Sequence, residues 1–397
     1  MTSLLTIDAA LACIVEHAPP LSVEMVAVGD AAGRVLREPA TACVDLPPFP
    51  SSAMDGFALR AADTPGELPV AFRVAAGTAP PAPLPSGAAA GISTGATVPS
   101  DADTVVPIEL VDDRGDHVVV TEHVAVGQHV RPRGGDVHAG DTVVAAGARL
   151  GPAQIGALAA TGIARVACSA RPRVALLATG SELRPPGTAL AAGQIYESNR
   201  AMVAAVLARA GADVDVLDVV QDDADAHRVA LARGLEADVL VTSGGVSMGE
   251  HDLVRQTEAD LGVEEIFWGV AVKPGKPLSF GVRDRTLVFG LPGNPVSSLV
   301  GALVFVSSGL LALQDAADPL PRYALGVTAT ALRRNAQRDE FVRAVRADDR
   351  VGVRLERIAG QESHMIARAA VADALVHVPR GDGELAAESL VRFLPLD

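Results

Sequence analysis

The sequence predicts a multidomain protein of the α/β plus β class, built around a central, mostly parallel sheet. Strand-like and helix-like segments alternate over residues 172–316, Pro- and Gly-rich segments with short strand-like runs fill residues 43–141, and strand-like runs return over residues 317–397. Alternating strands and helices form a parallel sheet covered on both faces, whereas short strands separated by turns form small β domains. A chain of 397 residues is long enough for two to four such domains.

The first domain is predicted to be discontinuous. The first 42 residues carry an apolar stripe at helical spacing that begins at Leu4, so this segment is expected to be helical. Residues 151–162 predict one more helix, with a proline near its start and a glycine at its end. We expect that helix to pack with the N-terminal helices. Residues 1–42 and 142–171 are therefore predicted to form one helical domain, into which the small β-rich domain of residues 43–141 is inserted.

The central domain, residues 172–316, has a regular order of elements. The predicted strands and helices are a strand at 174–179, a helix at 199–210, a strand at 213–220, a helix at 224–235, a buried strand at 237–241 and a helix from 252 onward. After residue 316 the pattern predicts a separate C-terminal β domain, with strands at 342–345 and 352–357.

The most informative segment is the glycine-rich turn after the strand at 237–241. That strand ends in Ser243-Gly244-Gly245, where backbone N–H groups and hydroxyls can bind an oxyanion. Glu250 and Asp252 follow closely. Donors for an anion next to carboxylates are typical of a site in which a divalent cation bridges to a phosphate. Glycine-rich turns between a strand and a helix are also common as purely structural features.

Two lysines and a helix start follow in the sequence. Lys273 and Lys276 flank a Pro-Gly pair, and Asn294 and Pro295 are suited to the N-cap and the first residue of a long helix. The positive end of that helix dipole and both lysines are expected to face the same sheet edge as the glycine-rich turn. The alternative is that Pro and Gly only interrupt the loops here.

Three predicted strands are followed by acidic residues, which are Glu182, Asp222 and Asp252. Each alone is more typical of a solvated loop or a helix cap. Because ligands of open parallel sheets bind outside the carboxyl ends of the strands, the three together predict a Mg²⁺–pyrophosphate site. The cation would offset charge that develops during P–O cleavage, and Lys273 and Lys276 would act on the same anion.

Charge and the lack of one motif argue against two other functional classes, nucleic-acid-binding proteins and nicotinamide-dependent oxidoreductases. The net charge is 33 − 48 = −15 and no long basic cluster occurs, which argues against nucleic acid as a partner. No G-x-G-x-x-G motif opens a helix after the strand at 174–179, so a nicotinamide-dependent oxidoreductase is not expected.

Location and membrane contact are predicted from three features. The N-terminus lacks a basic region before an apolar one, and the three cysteines show no disulfide or metal-ligand spacing. The uncharged residues 297–314 reach the length of a membrane span, but they contain serines and begin at an Asn-Pro cap. We expect a buried helix, no membrane contact and a cytoplasmic location.

Six boxes in order make the chain resemble one known family, the MoeA / gephyrin E-domain proteins. They are Ser52-Ala-Met-Asp-Gly-Phe-Ala-Leu59, Ile92-Ser-Thr-Gly-Ala-Thr-Val-Pro99, Thr179-Gly-Ser-Glu-Leu183 with Ile195-Tyr-Glu-Ser-Asn199, Ser243-Gly-Gly-Val-Ser-Met-Gly-Glu250, Lys273-Pro-Gly-Lys-Pro277 and Gly290-Leu-Pro-Gly-Asn-Pro-Val-Ser297. In order and spacing these boxes cover roughly residues 40–300, with weaker similarity to the C-terminus.

The resemblance implies a reaction and further site residues. Members of the family accept adenylyl-molybdopterin and molybdate, cleave the phosphoanhydride in a step that needs Mg²⁺ or another divalent cation, and release AMP. Asp55, Glu182, Asp222 and Asp252 are then expected to be catalytic. The resemblance adds substrate-binding residues to those predicted above, which are Thr94, Arg131, Asp136, Ser247, Pro292, Arg343 and Ser363.

The resemblance also implies a homodimer, in which the β domain that carries Asp55 faces the sheet domain of the partner subunit. Molybdopterin adenylyltransferase and maturation proteins of molybdoenzymes are the other expected partners. Two alternative functions are a molybdopterin adenylyltransferase, whose single domain shares the Ser-Gly-Gly box, and a non-catalytic dimeric scaffold of the gephyrin type. Gly91, Gly135 and Gly269 depart from the family pattern, which usually has Arg, an acid and sometimes Lys there.

Overall fold

The computed structural model describes residues 4–221, 223–245, 253–349 and 352–396, and only the backbone of residues 348 and 349. Within these ranges the protein is a multidomain mixed α/β structure with three six-stranded sheets. The sheet at its centre comes from the middle of the chain, as predicted. Its strands are, in spatial order, Asp213–Val216, Arg173–Ala178, Val239–Ser243, Thr286–Leu291, Ser279–Arg283 and Glu264–Trp268.

Four neighbouring strands of the central sheet run parallel, and the last two are joined to it in antiparallel fashion. The α-helices of the described residues are α1 (Ile7–Glu16), α2 (Pro152–Ala160), α3 (Asn199–Arg209), α4 (Ala224–Gly234), α5 (Leu253–Asp260), α6 (Pro295–Leu313, with a π-helical segment at Ala302–Val306) and α7 (Ile366–Ala369).

Helices cover both faces of the central sheet, which is why its strands are almost continuously apolar. Along Val239–Ser243, Val239 and Val241 pack into the core shared with α1, α3 and α6. The alternate residue Leu240 packs into a second core with α4 and α5. Side chains of a strand point alternately to opposite faces, so a strand buried on both sides needs apolar residues at every position.

Helix α6 is the long uncharged segment that the sequence analysis assigned to a buried helix. Its length and mean hydropathy of 2.1 are sufficient for a membrane span, and 78% of its most apolar stretch is buried inside the protein. Phe305 and Leu310 are fully buried against the central sheet. Within the described ranges it is the one helix that is long and apolar enough to raise this question.

The prediction that residues 1–42 are helical is wrong beyond α1. Pro19 and Pro20 end the helical pattern because proline lacks the N–H that the next turn would need. The following segment, Val23–Ala27, forms a strand that pairs antiparallel with Arg165–Ser169. The two parts of the predicted discontinuous domain therefore meet through a two-stranded ladder.

Helix α2 packs against the N-terminal segment, as predicted, but in a different core from α1. Leu158 of α2 packs against Val28 and Leu36 in a small core. Helix α1 instead places Leu11 and Ile14 in the large core of the central sheet. An apolar stripe says that a helix face is buried, but not which neighbour covers it.

The inserted segment and the C-terminal segment each form a β domain. The inserted sheet contains Thr104–Pro107, Gly56–Leu59, Ala89–Ile92, Gly66–Val74, His117–Val120 and Val111–Asp113. The C-terminal sheet contains Val272–Lys273, Asp339–Asp349, Gly352–Arg357, Ala324–Thr328, Leu390–Pro395 and Ala374–Val378, and pairing between Asp339–Asp349 and Ala374–Val378 closes five of these strands into a small barrel.

Short ladders connect the remaining segments. Their pairs are Ala40–Thr41 with Thr142–Val144, Ser51–Ser52 with Val130–Arg131, Leu183–Arg184 with Ile195–Tyr196 and Leu332–Arg333 with Glu384–Leu385.

Replacing Phe289 by alanine tests how much the central core contributes. Phe289 is fully buried and its ring centroid lies 5.0 Å from that of Phe280. The Phe289→Ala protein is expected to lose about 3–5 kcal/mol of unfolding free energy through lost burial and a cavity. Urea unfolding measures this loss. Val229→Ala, at a position that is 72% exposed, is the control and should shift the value by at most about 0.5 kcal/mol. Equal losses in the two variants would contradict the assigned core.

Candidate functional site

The candidate site lies where three parallel strands end at the same level. Ala178 is paired with Ser243, and Ser243 is paired with Leu291, so the loops after these residues leave the sheet side by side. They enclose an open cleft of about 850 Å³. Its wall is formed by Ala178, Thr179, Gly180, Glu182, Leu183, Ile195, Asn199, His227, Ser243, Gly244, Gly245, Leu253, Val254, Pro277, Pro292, Gly293 and Asn294.

The glycines of the Ser-Gly-Gly turn are required by its geometry. Gly244 and Gly245 have φ angles of 96° and 66°, a region that L side chains rarely adopt. A Cβ atom at Gly244 would lie 2.8 Å from the carbonyl oxygen of Thr179, and one at Gly245 would lie 2.3 Å from Cγ2 of Val254. The turn therefore passes too close to its neighbours for any other residue.

The backbone amides of this turn are not all free to bind an oxyanion, contrary to the predicted cradle. The N–H of Gly244 donates to the carbonyl of Leu291 at 3.0 Å and extends the strand ladder. The N–H of Gly245 finds no acceptor in the part of the chain that the structure describes. Of the two glycine amides, only that of Gly245 thus remains for a ligand.

Asn199 holds the parts of the cleft together, and the sequence analysis did not select it as a site residue. Its amide Nδ2 donates to Ser243 Oγ at 2.9 Å and to the carbonyl of Gly293 at 2.8 Å. Ser298 Oγ donates to the carbonyl of Pro292 and so fixes the same turn from the other side. Asn199 is 8% exposed. The available signal was its place in the Ile-Tyr-Glu-Ser-Asn box.

The start of α6 is built as predicted at Asn294 and Pro295, with one difference. Asn294 occupies the N-cap and Pro295 is the first helical residue, but the Asn294 side chain makes no capping hydrogen bond. The N–H of Val296 instead donates to the carbonyl of Ser363 at 3.0 Å. The C-terminal domain therefore satisfies one of the helix donors that lack a partner inside the helix.

The structure does not direct Lys273 and Lys276 to one anion site, contrary to the prediction. Lys273 Nζ lies 3.0 Å from a carboxylate oxygen of Glu340 and faces the C-terminal domain. Lys276 is exposed and pairs with no carboxylate among the described residues. A spacing of three residues in an irregular loop does not determine the direction of each side chain. The sequence alone therefore could not show that Lys273 and Lys276 point to different places.

Lys273 belongs to a second cleft, of about 950 Å³, inside the C-terminal region. The wall of that cleft consists of Lys273, Ala331, Leu332, Arg333, Arg334, Asn335, Ala336, Glu340, Val342, Arg357, Gly381, Asp382, Gly383 and Glu384. Because Lys273 lines this cleft and Pro277 lines the strand-end cleft, the loop between them separates the two.

Arg343 is a buried structural residue, whereas the sequence analysis placed it on the substrate. It is 1% exposed, and its guanidinium donates to the carbonyls of Met365, Gly360 and Glu362 at 2.7, 2.7 and 3.1 Å. Burial lowers the pKa of this guanidinium, and the nearby Glu362 opposes that shift. Arg343 thereby shapes the loop that presents Ser363 to α6.

One of the three predicted metal ligands can be located. Glu182 is exposed at the rim of the strand-end cleft, and its carboxylate folds over Gly180. Asp222, Asp252 and Ser247 lie outside the described residues. Among the residues that are described, no group of three or more His, Cys, Asp or Glu side chains forms a metal site.

Of the four site residues predicted in the small β domain, Asp55 and Thr94 contact each other, and none of the four lines this cleft. Asp55 Oδ1 accepts a hydrogen bond from the backbone N–H of Thr94 at 2.8 Å. Arg131 pairs with Ser51 in the adjacent ladder, and Asp136 is exposed. In the described part of the chain, no residue of this domain lines the strand-end cleft.

Two of the three glycine departures have a steric cause. A Cβ at Gly91 would lie 2.9 Å from Cγ of Arg73, the residue paired with it in the sheet. At Gly269 the φ angle is 91° and a Cβ would lie 2.7 Å from Leu4 Cδ2. A Cβ at Gly135 would lie 3.1 Å from Cγ of Pro132, which is a tighter contact than most Cβ atoms make.

Comparisons with known proteins agree with the arrangement of the chain. Family models match the MoeA N-terminal region (domain I and II) at residues 5–162, a probable molybdopterin binding domain at residues 175–312 and the MoeA C-terminal region (domain IV) at residues 326–396.

Individual relatives cover nearly the whole chain. Molybdopterin molybdenumtransferase 2 of Mycobacterium tuberculosis is 38% identical over 372 residues, which are 90% of this chain and 91% of the relative. Molybdopterin molybdenumtransferase of Haemophilus influenzae is 32% identical over 401 residues and 99% of both chains. A crystal structure of the molybdopterin biosynthesis MoeA protein from Pyrococcus horikoshii has 29% identity and a TM-score of 0.79, with 100% of both chains covered.

The contribution of Asn199 can be measured through the strand ends that it joins. Asn199→Ala should leave the Ser243 hydroxyl and the Gly293 carbonyl without this donor, at a cost of about 1–3 kcal/mol in unfolding free energy. Hydrogen exchange at the Gly244 amide should become faster, because the turn beside it loosens. Gln221→Ala, an exposed amide at the same sheet edge, is the control. Unchanged exchange at Gly244 in the Asn199 variant would refute this role.

Proposed function

The chain belongs to the MoeA family, and on that premise we propose the reaction that its strand-end cleft supports. The protein is a molybdopterin molybdenumtransferase that inserts molybdenum during molybdenum cofactor biosynthesis. Adenylyl-molybdopterin and molybdate are its substrates, and molybdenum-molybdopterin and AMP are its products. The observation that carries this proposal is the meeting of Ser243–Gly245 with Pro292–Asn294 in one cleft, inside the region that matches a molybdopterin binding domain.

The cleft has the groups that a phosphate-bearing ligand requires. Gly245 offers a backbone N–H without an acceptor among the described residues, and the positive end of α6 begins at Asn294. Because the chain carries a net charge of −15, attraction at long range is not available. Oriented donors at short range can bind an anion in spite of that charge.

We propose Mg²⁺ or another divalent cation as the cofactor, held by Glu182 together with Asp222 and Asp252. Glu182 fits this role, because its carboxylate stands at the rim of the cleft and carboxylate oxygens are the ligands that Mg²⁺ prefers. The cation would supply neutralisation of charge on the phosphate oxygens. Glu182 would hold that cation beside the donors of the cleft.

We also propose that the active form is a homodimer. Asp55, Thr94, Arg131 and Asp136 are site residues by resemblance, but their domain does not line the strand-end cleft of its own chain. A second copy can supply them if its small β domain faces this cleft.

The proposal extends to domains, location and partners. Domains at residues 1–42 with 142–171, 43–141, 172–316 and 317–397 would each keep their fold while the dimer forms. We also propose a cytoplasmic location. Molybdopterin adenylyltransferase would deliver the substrate, and maturation proteins of molybdoenzymes would receive the product.

The direct test is an assay of the purified protein with adenylyl-molybdopterin. AMP should appear only when molybdate and a divalent cation are both present. Consumption of ATP with free molybdopterin would instead indicate the adenylyltransferase, and absence of both reactions would indicate a scaffold. Matches to the MoeA N-terminal and C-terminal regions, in addition to the binding domain, argue against the adenylyltransferase.

The two lysines are predicted to differ in their effect on molybdate. Lys276→Ala should raise the molybdate concentration for half-maximal AMP release by about tenfold, the effect of one lost charge-assisted contact. Lys273→Ala should have a smaller effect, because Glu340 already neutralises this ammonium group. Lys276→Arg keeps the charge and serves as the control. The reverse order of effects would place the molybdate in the second cleft.

Mixed dimers test the shared active site. Asp55→Asn and Asp252→Asn proteins should each be inactive, since each lacks one predicted catalytic carboxylate. If subunits reassort at random, half of the dimers are hybrids with one intact site, so the mixture should recover roughly a quarter of the wild-type rate. Two Asp55→Asn preparations mixed with each other are the control. A mixture that stays inactive after proven subunit exchange would show that each chain builds its own site.

A further inference from the structure

His227 forms part of the wall of the strand-end cleft and has no hydrogen-bond partner among the described residues. It is 2% exposed, and within those residues neither Nδ1 nor Nε2 contacts a donor or an acceptor. The other buried histidine of the described residues, His377, has the Arg392 guanidinium 3.3 Å from Nδ1, so only its Nε2 is without a hydrogen-bond partner there. Nearly all buried polar groups in folded proteins are paired, so an imidazole with two unpaired nitrogens requires a reason.

Packing alone does not supply that reason. His227, Leu231 and Gly234 form the buried face of α4, which packs on the central sheet. An apolar side chain such as leucine would fill the first of these positions without an unsatisfied polar atom. Burial of an unpaired imidazole lowers the free energy of unfolding, so the ring costs stability where it stands.

The position of His227 in its helix directs the ring toward the ligand edge. Asp223 caps α4, and the backbone N–H of His227 donates to the Asp223 carbonyl at 3.0 Å, so the ring belongs to the first turn. Side chains of a helix lean toward its N-terminus. The N-terminus of α4 lies at the carboxyl edge of the sheet, where Thr179 and Gly180 line the same cleft.

The other polar groups of this cleft define what the ring would meet. The N–H of Gly245 and the helix start at Asn294 are donors, and they favour an anion. We propose that His227 is a ligand-binding residue, which donates a hydrogen bond to a phosphoryl oxygen held in the strand-end cleft. This inference rests on the proposed function, because that function supplies the phosphoryl group.

Binding then relieves the cost of the unpaired ring. In the structure both nitrogens are buried, and rotation about the Cα–Cβ and Cβ–Cγ bonds is the smallest movement that turns one of them to the cleft. A hydrogen bond to the ligand would pair one nitrogen of His227. The cost of the unpaired ring is then relieved only in the ligand-bound protein, which the ring therefore favours. The phosphoryl group can belong to the nucleotide half or to the pterin half of the substrate.

The test compares stability with affinity in the full-length protein. His227→Leu should unfold at the same or a higher urea concentration than the wild type, because it removes an unpaired buried group. Its affinity for AMP, measured by calorimetry, should fall about tenfold if the nucleotide phosphate is the partner. A tenfold fall for molybdopterin, measured by pterin fluorescence, would support the inference and identify the pterin phosphate instead. Affinity for adenosine, which has no phosphoryl group, should not change.

Matched variants make the result specific. His227→Gln keeps a donor and should retain more affinity than His227→Met, a comparison that also serves if leucine does not fit. Val229→Gln, on the exposed face of the same helix, should change neither stability nor affinity. Unchanged affinity of His227→Leu for both AMP and molybdopterin, or an equal loss for adenosine, would overturn the inference.

The inference and the proposed function can fail separately. If the wild type releases AMP in the presence of molybdate and His227→Leu binds both phosphoryl ligands normally, the function stands and the inference fails. If the wild type shows no such reaction while AMP affinity depends on His227, the inference stands and the reaction fails.

Discussion

The register of the central parallel sheet is the constraint on which the rest of the structure depends. Because Ala178, Ser243 and Leu291 are level with one another, three loops of different sequence open at one edge. Asn199 then joins two of these loops through its amide. A shift of one residue in any of these pairings would turn the strand's side chains to the wrong face and separate the loops. Strand pairing therefore forms the cleft, and the side chains of the loops then line it.

Because the chain has a net charge of −15, the anion site proposed here depends on the direction of its donors and not on total charge. Gly245 contributes a backbone N–H and α6 contributes its N-terminus, whereas Lys276 is exposed on the adjoining loop and Lys273 pairs with Glu340. These donors act over a few ångströms, whereas salt screens the net charge beyond about 10 Å. The loop between Lys273 and Pro277 separates this cleft from the second one. The C-terminal domain contributes the carbonyl of Ser363, which accepts a hydrogen bond from the Val296 N–H at the start of α6.

Periodicity predicted the central domain closely because each of its elements is buried in a simple way. The strands Arg173–Ala178 and Val239–Ser243 and the helices α3 and α4 lie within a few residues of their predicted positions. The N-terminal segment was predicted less well. There, Val23–Ala27 is a strand only because Arg165–Ser169 lies beside it, and no local pattern contains a partner more than a hundred residues away.

By itself the sequence determined the type of site, through the Ser-Gly-Gly turn, the Asn-Pro helix start and the order of its boxes, because local turn chemistry requires those residues. Only the tertiary structure decided which groups face a ligand. In the structure the Gly244 N–H donates to the Leu291 carbonyl and Lys273 pairs with Glu340. The Arg343 guanidinium donates to carbonyls of a loop in its own domain. The tertiary structure also brought Asn199 and His227 into the cleft wall. Direction and pairing of a side chain depend on neighbours distant in sequence, and packing alone brings those neighbours into contact.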